Sequence, residues 1–324
     1  MHGYASNSCG WGDAFFSTIK APRPDGFVYT LDYGLPGLPN CATLNAAGEP
    51  LSYLAFNLDN LLSTQVEDHE GGMFAGWAFT RYDLVGHSQG GVLARMLCQN
   101  FPPTVLGTGA PYSMAKVVSK SNANRGRFRR VITIGSPQSG STILRYVLQL
   151  DQKLGSYARL IPFSRTLLQA KFEPYAGEIS LINSQYSVDE RIKFHSIRTK
   201  IGQSTTPFFY KVLGLPSAPP DDTRTRLKIL LPEGSDGIVD FASQIAGSTK
   251  HTDYLPFDIS HADGQVVGFD VFGVAPDHTQ TVSYDVGVKV QTLLTGLSSN
   301  FAKFVPPAPV SVPSKAEVDS IAAT

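Results

Sequence analysis

Cysteine is scarce in this chain. Three residues among 324 cannot all pair internally, which excludes a disulfide-stapled scaffold. Cys98 falls inside an apolar helical pattern and reads as a small buried hydrophobe, whereas Cys9 and Cys41 fall in loops. An excess of charge of one sign is lacking too. With 27 basic and 27 acidic residues, no global field attracts nucleic acid or an anionic membrane. The one basic cluster, Arg125, Arg127, Arg129 and Arg130, reads as a solvated loop ahead of a strand. No apolar run approaches the roughly 18 residues of a membrane-spanning helix. Nor is there metal-ligand spacing around His69, which stands between acidic neighbours and reads as part of a solvated turn. No internal repeat is visible, and 324 residues suffice to bury a full core, so one large α/β domain over residues 1–300 is expected. Residues 301–324, with Pro306, Pro307, Pro309 and Pro313, read as a proline-rich tail or linker.

What the chain does have is Tyr82-Asp83-Leu84-Val85-Gly86-His87-Ser88-Gln89-Gly90-Gly91. A short apolar strand runs into a sharp turn, and a helix follows through Val92, Leu93, Met96 and Leu97. Gly86, Ser88 and Gly90 fit G-x-S-x-G. A serine on such a strand-to-helix turn has strained backbone geometry and an exposed Oγ. Glycines flank it because a Cβ would collide where strand and helix nearly touch. The helix start behind Ser88 presents N–H groups and a positive dipole end to a developing oxyanion. The pattern alone is common; its strand-before, helix-after context makes Ser88 a candidate nucleophile.

Around this centre the pattern alternates strands and helices. Gly26–Gly34 has the β-branched and aromatic content of a buried strand, and Leu51 to Val66 carries apolar residues at helical spacing. Val131–Ile134 is another buried strand, running into Gly135-Ser136-Pro137. Ser141 is placed to cap a helix over Thr142–Leu154. Lys193–Ile201 alternates like a half-exposed strand containing His195, Arg226–Leu231 adds a short strand, and Gln265–Val274 reads as the last one. An apolar-periodic helix through Val286, Val290 and Leu294 then follows.

Together these segments resemble the α/β-hydrolase family, and within it bacterial triacylglycerol lipases and related esterases. Leu84–Gly91 is similar to their nucleophile segment almost letter for letter, and the likeness extends in patches from His2 to about residue 296. The resemblance implies a mostly parallel central sheet flanked by helices, with Ser88 as nucleophile. Gly234–Asp240 resembles the family's S-D-G-x-V loop, which makes Asp236 the triad acid; Asp240 stands where proline is usual and remains a rival. His278, between last strand and last helix, is the implied base, with His251 and His261 as competitors. By the same resemblance the backbone N–H groups of Tyr4, after His2-Gly3, and of Gln89 form the oxyanion hole. Gly135–Ser141 resembles the G-T-P-x-x-G-S segment, and an insertion over about 141–190 is expected to form an apolar helical lid from Thr142 to Leu168. Cys9 and Cys41 would both lie on the active-site face, where a bridge between them is one expectation.

The implied activity is that of a serine carboxylic-ester hydrolase acting on an ester or lipid, with no metal or organic cofactor and no stable protein partner. The lid would make transient contact with a lipid interface. An acyltransferase or a deacylase of lipid-linked glycans would use the same triad, and a catalytically silent binding module would keep only the fold. The family places its third strand mid-sheet, yet nothing strand-like precedes His2. The expectation is therefore an N-terminally shortened form of a longer, exported protein.

Overall fold

The structure, a computed structural model, describes residues 1, 11, 13–21, 28–31, 49–67, 81–101, 112–116, 124–142, 171–172, 174–175, 177–185, 187–198, 239–247, 252–254, 276–308 and 316. Its centre is a mixed sheet. Strand β1 (Tyr82–His87) pairs in parallel with β4 (Phe128–Ile134), β4 with β5 (Lys193–Arg198), and β5 with β6 (Thr252–Tyr254). A short β7 (Ala302–Lys303) runs antiparallel against the start of β5. Between β1 and β4, β2 (Asn100–Phe101) and β3 (Tyr112–Ser113) make a separate antiparallel pair.

Helices cover both faces of this sheet. On one side lie α2 (Leu51–Leu61), which widens into a π-turn over Leu62–Val66, and α3 (Gln89–Leu97), burying Leu54, Leu58, Leu93 and Met96 with Leu84 and Val131. On the other, α1 (Asp13–Lys20) packs on α5 (Pro276–Thr295), and Val286, Val290 and Leu293 meet Ile132, Ile134 and Ile197. Apolar cover on both faces is why β4 is a nearly unbroken run of buried residues, as parallel strands are. The chain is an α/β protein.

Several expectations need correction. Strand β5 is not half-exposed: Phe194, His195, Ser196 and Ile197 are all buried. Its polar residues are satisfied inside, His195 Nδ1 lying 2.6 Å from the Asn300 carbonyl and Ser196 Oγ accepting the Ala246 N–H at 2.7 Å. Nor is the arginine cluster solvated throughout: Arg125 and Arg129 are exposed, but Arg127 and Arg130 are buried. Arg127 is buried against Asp59 and Glu67, and Arg130 against Asp83 and the last carbonyls of α5, at 3.1 Å from Leu293 and 2.6 Å from Leu294. A guanidinium on a helix C-terminus satisfies orphan carbonyls and opposes the negative dipole end.

Val28–Leu31 lie in no strand: among the described residues no ladder of hydrogen bonds joins them to the sheet, and a strand needs one. Nor does the proline-rich tail begin at 301. Phe301 is buried, β7 extends the sheet, and Phe304 packs on Phe194. The far end of the expected insertion belongs to the body. Phe172 and, from α4 (Glu178–Gln185), Ile179 and Ile182 join the core, while the Glu178 carboxylate caps α2 through Leu51 N–H at 2.6 Å and Ser52 N–H at 2.8 Å. Strand β6 was not expected; three residues give no readable period. The expected strands over 226–231 and 265–274, the helix over 143–154, the remainder of the lid and His69 lie outside the described residues.

Candidate active site

Everything at Ser88 follows from how β1 meets α3. The residue has φ 51° and ψ −126°, a conformation that L-residues other than glycine rarely adopt. Its N–H donates to the Ile134 carbonyl at 2.9 Å, locking the turn to the end of β4, and its own carbonyl accepts from Gly91 N–H at 3.0 Å to begin the helix. Two glycines make the crossing possible. A Cβ on Gly86 would fall 2.5 Å from the Gly90 carbonyl oxygen and 2.6 Å from the Gly91 Cα. A Cβ on Gly91 would drive into the Ser136 side chain, so the crowded position on the helix side is Gly91, with Gly90 contributing the carbonyl.

Ser88 differs from expectation in one respect: with 7% of its surface accessible it is enclosed rather than perched in solvent. Gln89 is the first helical residue, so its backbone N–H belongs to the first-turn group that has no carbonyl within the helix to bond. That is the geometry an oxyanion donor needs. Tyr4, the other expected donor, lies outside the described residues.

Behind the serine, α3 is held from several directions. Arg95 is wholly buried, and its Nη1 donates to the Gln138 carbonyl at 3.0 Å and to Asn183 Oδ1 at 2.6 Å. Its guanidinium also lies 5.0 Å from the centre of the Phe304 ring. Burial lowers its pKa to about 9. Cys98, just past the helix, donates its thiol to the Ala94 carbonyl at 3.2 Å, and burial, then Asp189, pushes its pKa well up. The role of Arg95 is not legible in sequence, since its partners lie 43 or more residues away, whereas the burial of Cys98 is as expected.

The turn after β4 brings in the segment with the candidate acids. Gly140 has φ 93° and is crowded by the Phe172 carbonyl, which explains that glycine. Gln138 N–H donates to the Ser243 carbonyl at 2.9 Å, and Ser243 Oγ donates to the Gly140 carbonyl at 2.6 Å. Asp240 is buried and both oxygens are engaged by Thr142, Oδ2 by the N–H at 2.8 Å and Oδ1 by the hydroxyl at 2.5 Å. Its carboxylate thus clamps residues 239–247 to the turn. Asp236 itself lies outside the described residues, three positions before the buried Val239.

His278 stands in the first turn of α5 rather than on a loop. Because Arg130, near the start of β4, holds the C-terminal carbonyls of α5, the helix runs antiparallel to the strands. Its start is therefore directed toward the sheet end where Ser88 follows β1. His251 and His261 lie outside the described residues. Cys9 and Cys41 do too. Among the described residues no group of three His, Cys, Asp or Glu side chains is placed to hold a metal ion, and no helix is long and apolar enough to cross a membrane. No protein-family model matches the chain, and no curated protein matches it significantly.

Proposed function

We propose that this protein is a serine carboxylic-ester hydrolase of lipase or esterase type, built on an α/β-hydrolase fold with a helical lid within about 141–190. One observation carries the reading: the strained backbone of Ser88 between a buried parallel strand and a helix start. Strain of this kind costs on the order of 1–3 kcal/mol and persists only where the surroundings enforce it, as Gly86, Gly91 and the Ile134 carbonyl do here.

In the proposed reaction His278 takes the Ser88 proton as Oγ attacks the ester carbonyl, then gives it to the leaving alcohol. Asp236 holds the imidazole in the useful tautomer. Water, activated by the same histidine, cleaves the acyl-serine. The N–H groups of Gln89 and Tyr4 stabilise the oxyanion, about 3 kcal/mol for each well-placed donor. Enclosure of Ser88 keeps bulk water from competing with those donors. An apolar lid fits ester substrates presented at a lipid surface, and an exported protein would meet them there.

The test is covalent. A fluorophosphonate should add its mass once, on the peptide containing Ser88. Ser88→Ala should remain unlabelled and lose on the order of 10⁵-fold in kcat on a chromogenic ester. For a longer-chain ester the wild-type rate should climb as substrate passes its solubility limit. Label on another residue, or hydrolysis retained by Ser88→Ala, would overturn the reading.

A further inference from the structure

Strands β1, β4 and β5 end in one row, with His87 opposite Ile134 and Ile134 opposite Ile197. The ladder runs one step further. Ser88 N–H donates to the Ile134 carbonyl at 2.9 Å and Gly135 N–H to the Ile197 carbonyl at 3.0 Å, so Ser88, Gly135 and Arg198 form the next row. Arg198 therefore stands at the level of Ser88, two strand spacings or about 10 Å across the carboxyl end of the sheet. In open α/β sheets that end is where ligands bind. The side-chain period puts Arg198 on the face of Phe194, which packs with α2 and α3, and away from Ile197, which faces α5. Helix α3 begins on that face, directly behind Ser88.

The guanidinium of Arg198 lies 3.7 Å from the centre of the Phe241 ring. That ring is held in place by its neighbours, since Asp240 binds Thr142 and Ser243 binds the Gly140 carbonyl. Among the described residues Arg127, Arg129, Arg130 and Arg191 each meet a carboxylate, whereas Arg198 meets none. Its Nε is sealed from water and has no hydrogen-bond partner, and burial lowers its pKa. The residue as a whole is only half-buried, so its two amino groups are the part left to meet a ligand. A guanidinium unpaired in such a place is destabilising. Pairing it with an acid costs little further ordering, because the ring already fixes its fork.

We propose that Arg198 is a specificity-determining residue of the site at Ser88, and that the ester cleaved there carries a second, ionised acid group which the two amino ends of the guanidinium receive. The inference rests on the ester-hydrolase reading and narrows its substrate class. With about 10 Å between the two residues, the acid lies several bonds from the reacting carbonyl, on the acyl chain or on the alcohol. A bidentate, partly desolvated contact of this kind favours the acidic ester over its neutral counterpart roughly 10–100-fold. Lysine would not substitute, since an ammonium neither stacks flat on Phe241 nor presents a fork.

The test uses two pairs of esters on the full chain. One is the para-nitrophenyl hemiester of adipic acid against its methyl ester, with the acid on the acyl side. The other is the butyrate of para-hydroxyphenylacetic acid against its methyl ester, with the acid on the alcohol side. In one pair the free acid should exceed its methyl ester roughly 10–100-fold in kcat/KM, mostly through KM. Arg198→Met, which keeps an unbranched chain against Phe241, should level the two rates of that pair, and Arg198→Lys should lie between. Calorimetry separates recognition from reaction: monomethyl adipate or para-hydroxyphenylacetate should bind the wild type and lose binding in Arg198→Met. If Arg198→Met fails to fold, the same comparisons on Arg198→Lys decide. Equal rates within both pairs, or a preference for the acid that survives the loss of Arg198, would overturn the proposal. Acid binding that needs Arg198 in a chain that cleaves no ester would support the anion site and overturn the reaction at Ser88 alone. Neither binding nor hydrolysis would overturn both.

Discussion

At the scale of single residues, Asp236 and Asp240 offer the sharpest contrast. Asp240→Asn leaves one oxygen to accept but turns an amide NH₂ toward a Thr142 donor, so a buried bond is lost. The expected cost is about 1–3 kcal/mol in unfolding free energy, with kcat within a few-fold of wild type wherever the variant is folded. Asp236→Asn should do the reverse, leaving the melting temperature unchanged and lowering kcat by up to roughly 10⁴-fold through the wrong histidine tautomer. Paired calorimetry and ester kinetics check both. Greater loss of kcat in Asp240→Asn would move the acid to Asp240. Sequence reading left these two aspartates open because spacing places both in one loop. The contact Asp240 makes to Thr142, 98 positions away, is encoded by no local pattern.

At the scale of elements, the β1–α3 crossing is a junction with no room for a side chain. Gly86→Ala places a methyl group against backbone that cannot swing aside. A loss of about 2–4 kcal/mol is expected, read as a lower urea midpoint, with little labelling at Ser88 in whatever remains folded. An unchanged midpoint would mean a looser crossing than these contacts require. This junction was legible beforehand because strand, turn and helix follow one another without a gap, and every constraint is local. Helix α2 was legible for the same reason, its leucines recurring at the period of its own turn. Strand β5 was misread because alternation reports polarity, not exposure. His195 and Ser196 find partners in distant segments and are buried despite being polar. Val28–Leu31 failed in the opposite sense: composition suits a strand, but only a neighbouring chain can make one.

At the scale of the whole molecule, stability should depend on pH through Lys171. Burial lowers its pKa to about 8, while Glu178 and Glu49 pull it upward. The unfolded chain restores a value near 10.5, so between pH 8 and 10.5 the unfolded state binds the extra proton. Stability must then rise with pH across that window and carry the full penalty below it, at most about 3 kcal/mol. Lys171→Met should lose this slope and be the more stable protein at pH 7, as urea titrations at pH 7 and 10 would show. An identical slope in both proteins would exclude Lys171 as its source. The acid side has the opposite sign. Burial opposes ionisation of Asp83, yet hydrogen bonds from Arg129 and Arg130 outweigh it and hold the carboxyl below its ordinary range. Its contribution is therefore lost only as pH falls through that lowered value.

The thiol of Cys98 gives the molecule an internal clock. No alkylating reagent can touch it while α3 stays docked, because the side chain is sealed and its sulfur is bonded to the preceding turn. Modification waits for an excursion in which the helix lifts from the sheet, and the rate of that reaction counts such excursions. The same helix begins at Gln89, directly behind Ser88. The frequency with which the thiol becomes reachable is thus the frequency with which the support of Ser88 dissolves, and an acyl group on Ser88, in the proposed reaction, would slow or quicken that beat according to whether it braces the turn or pries it open.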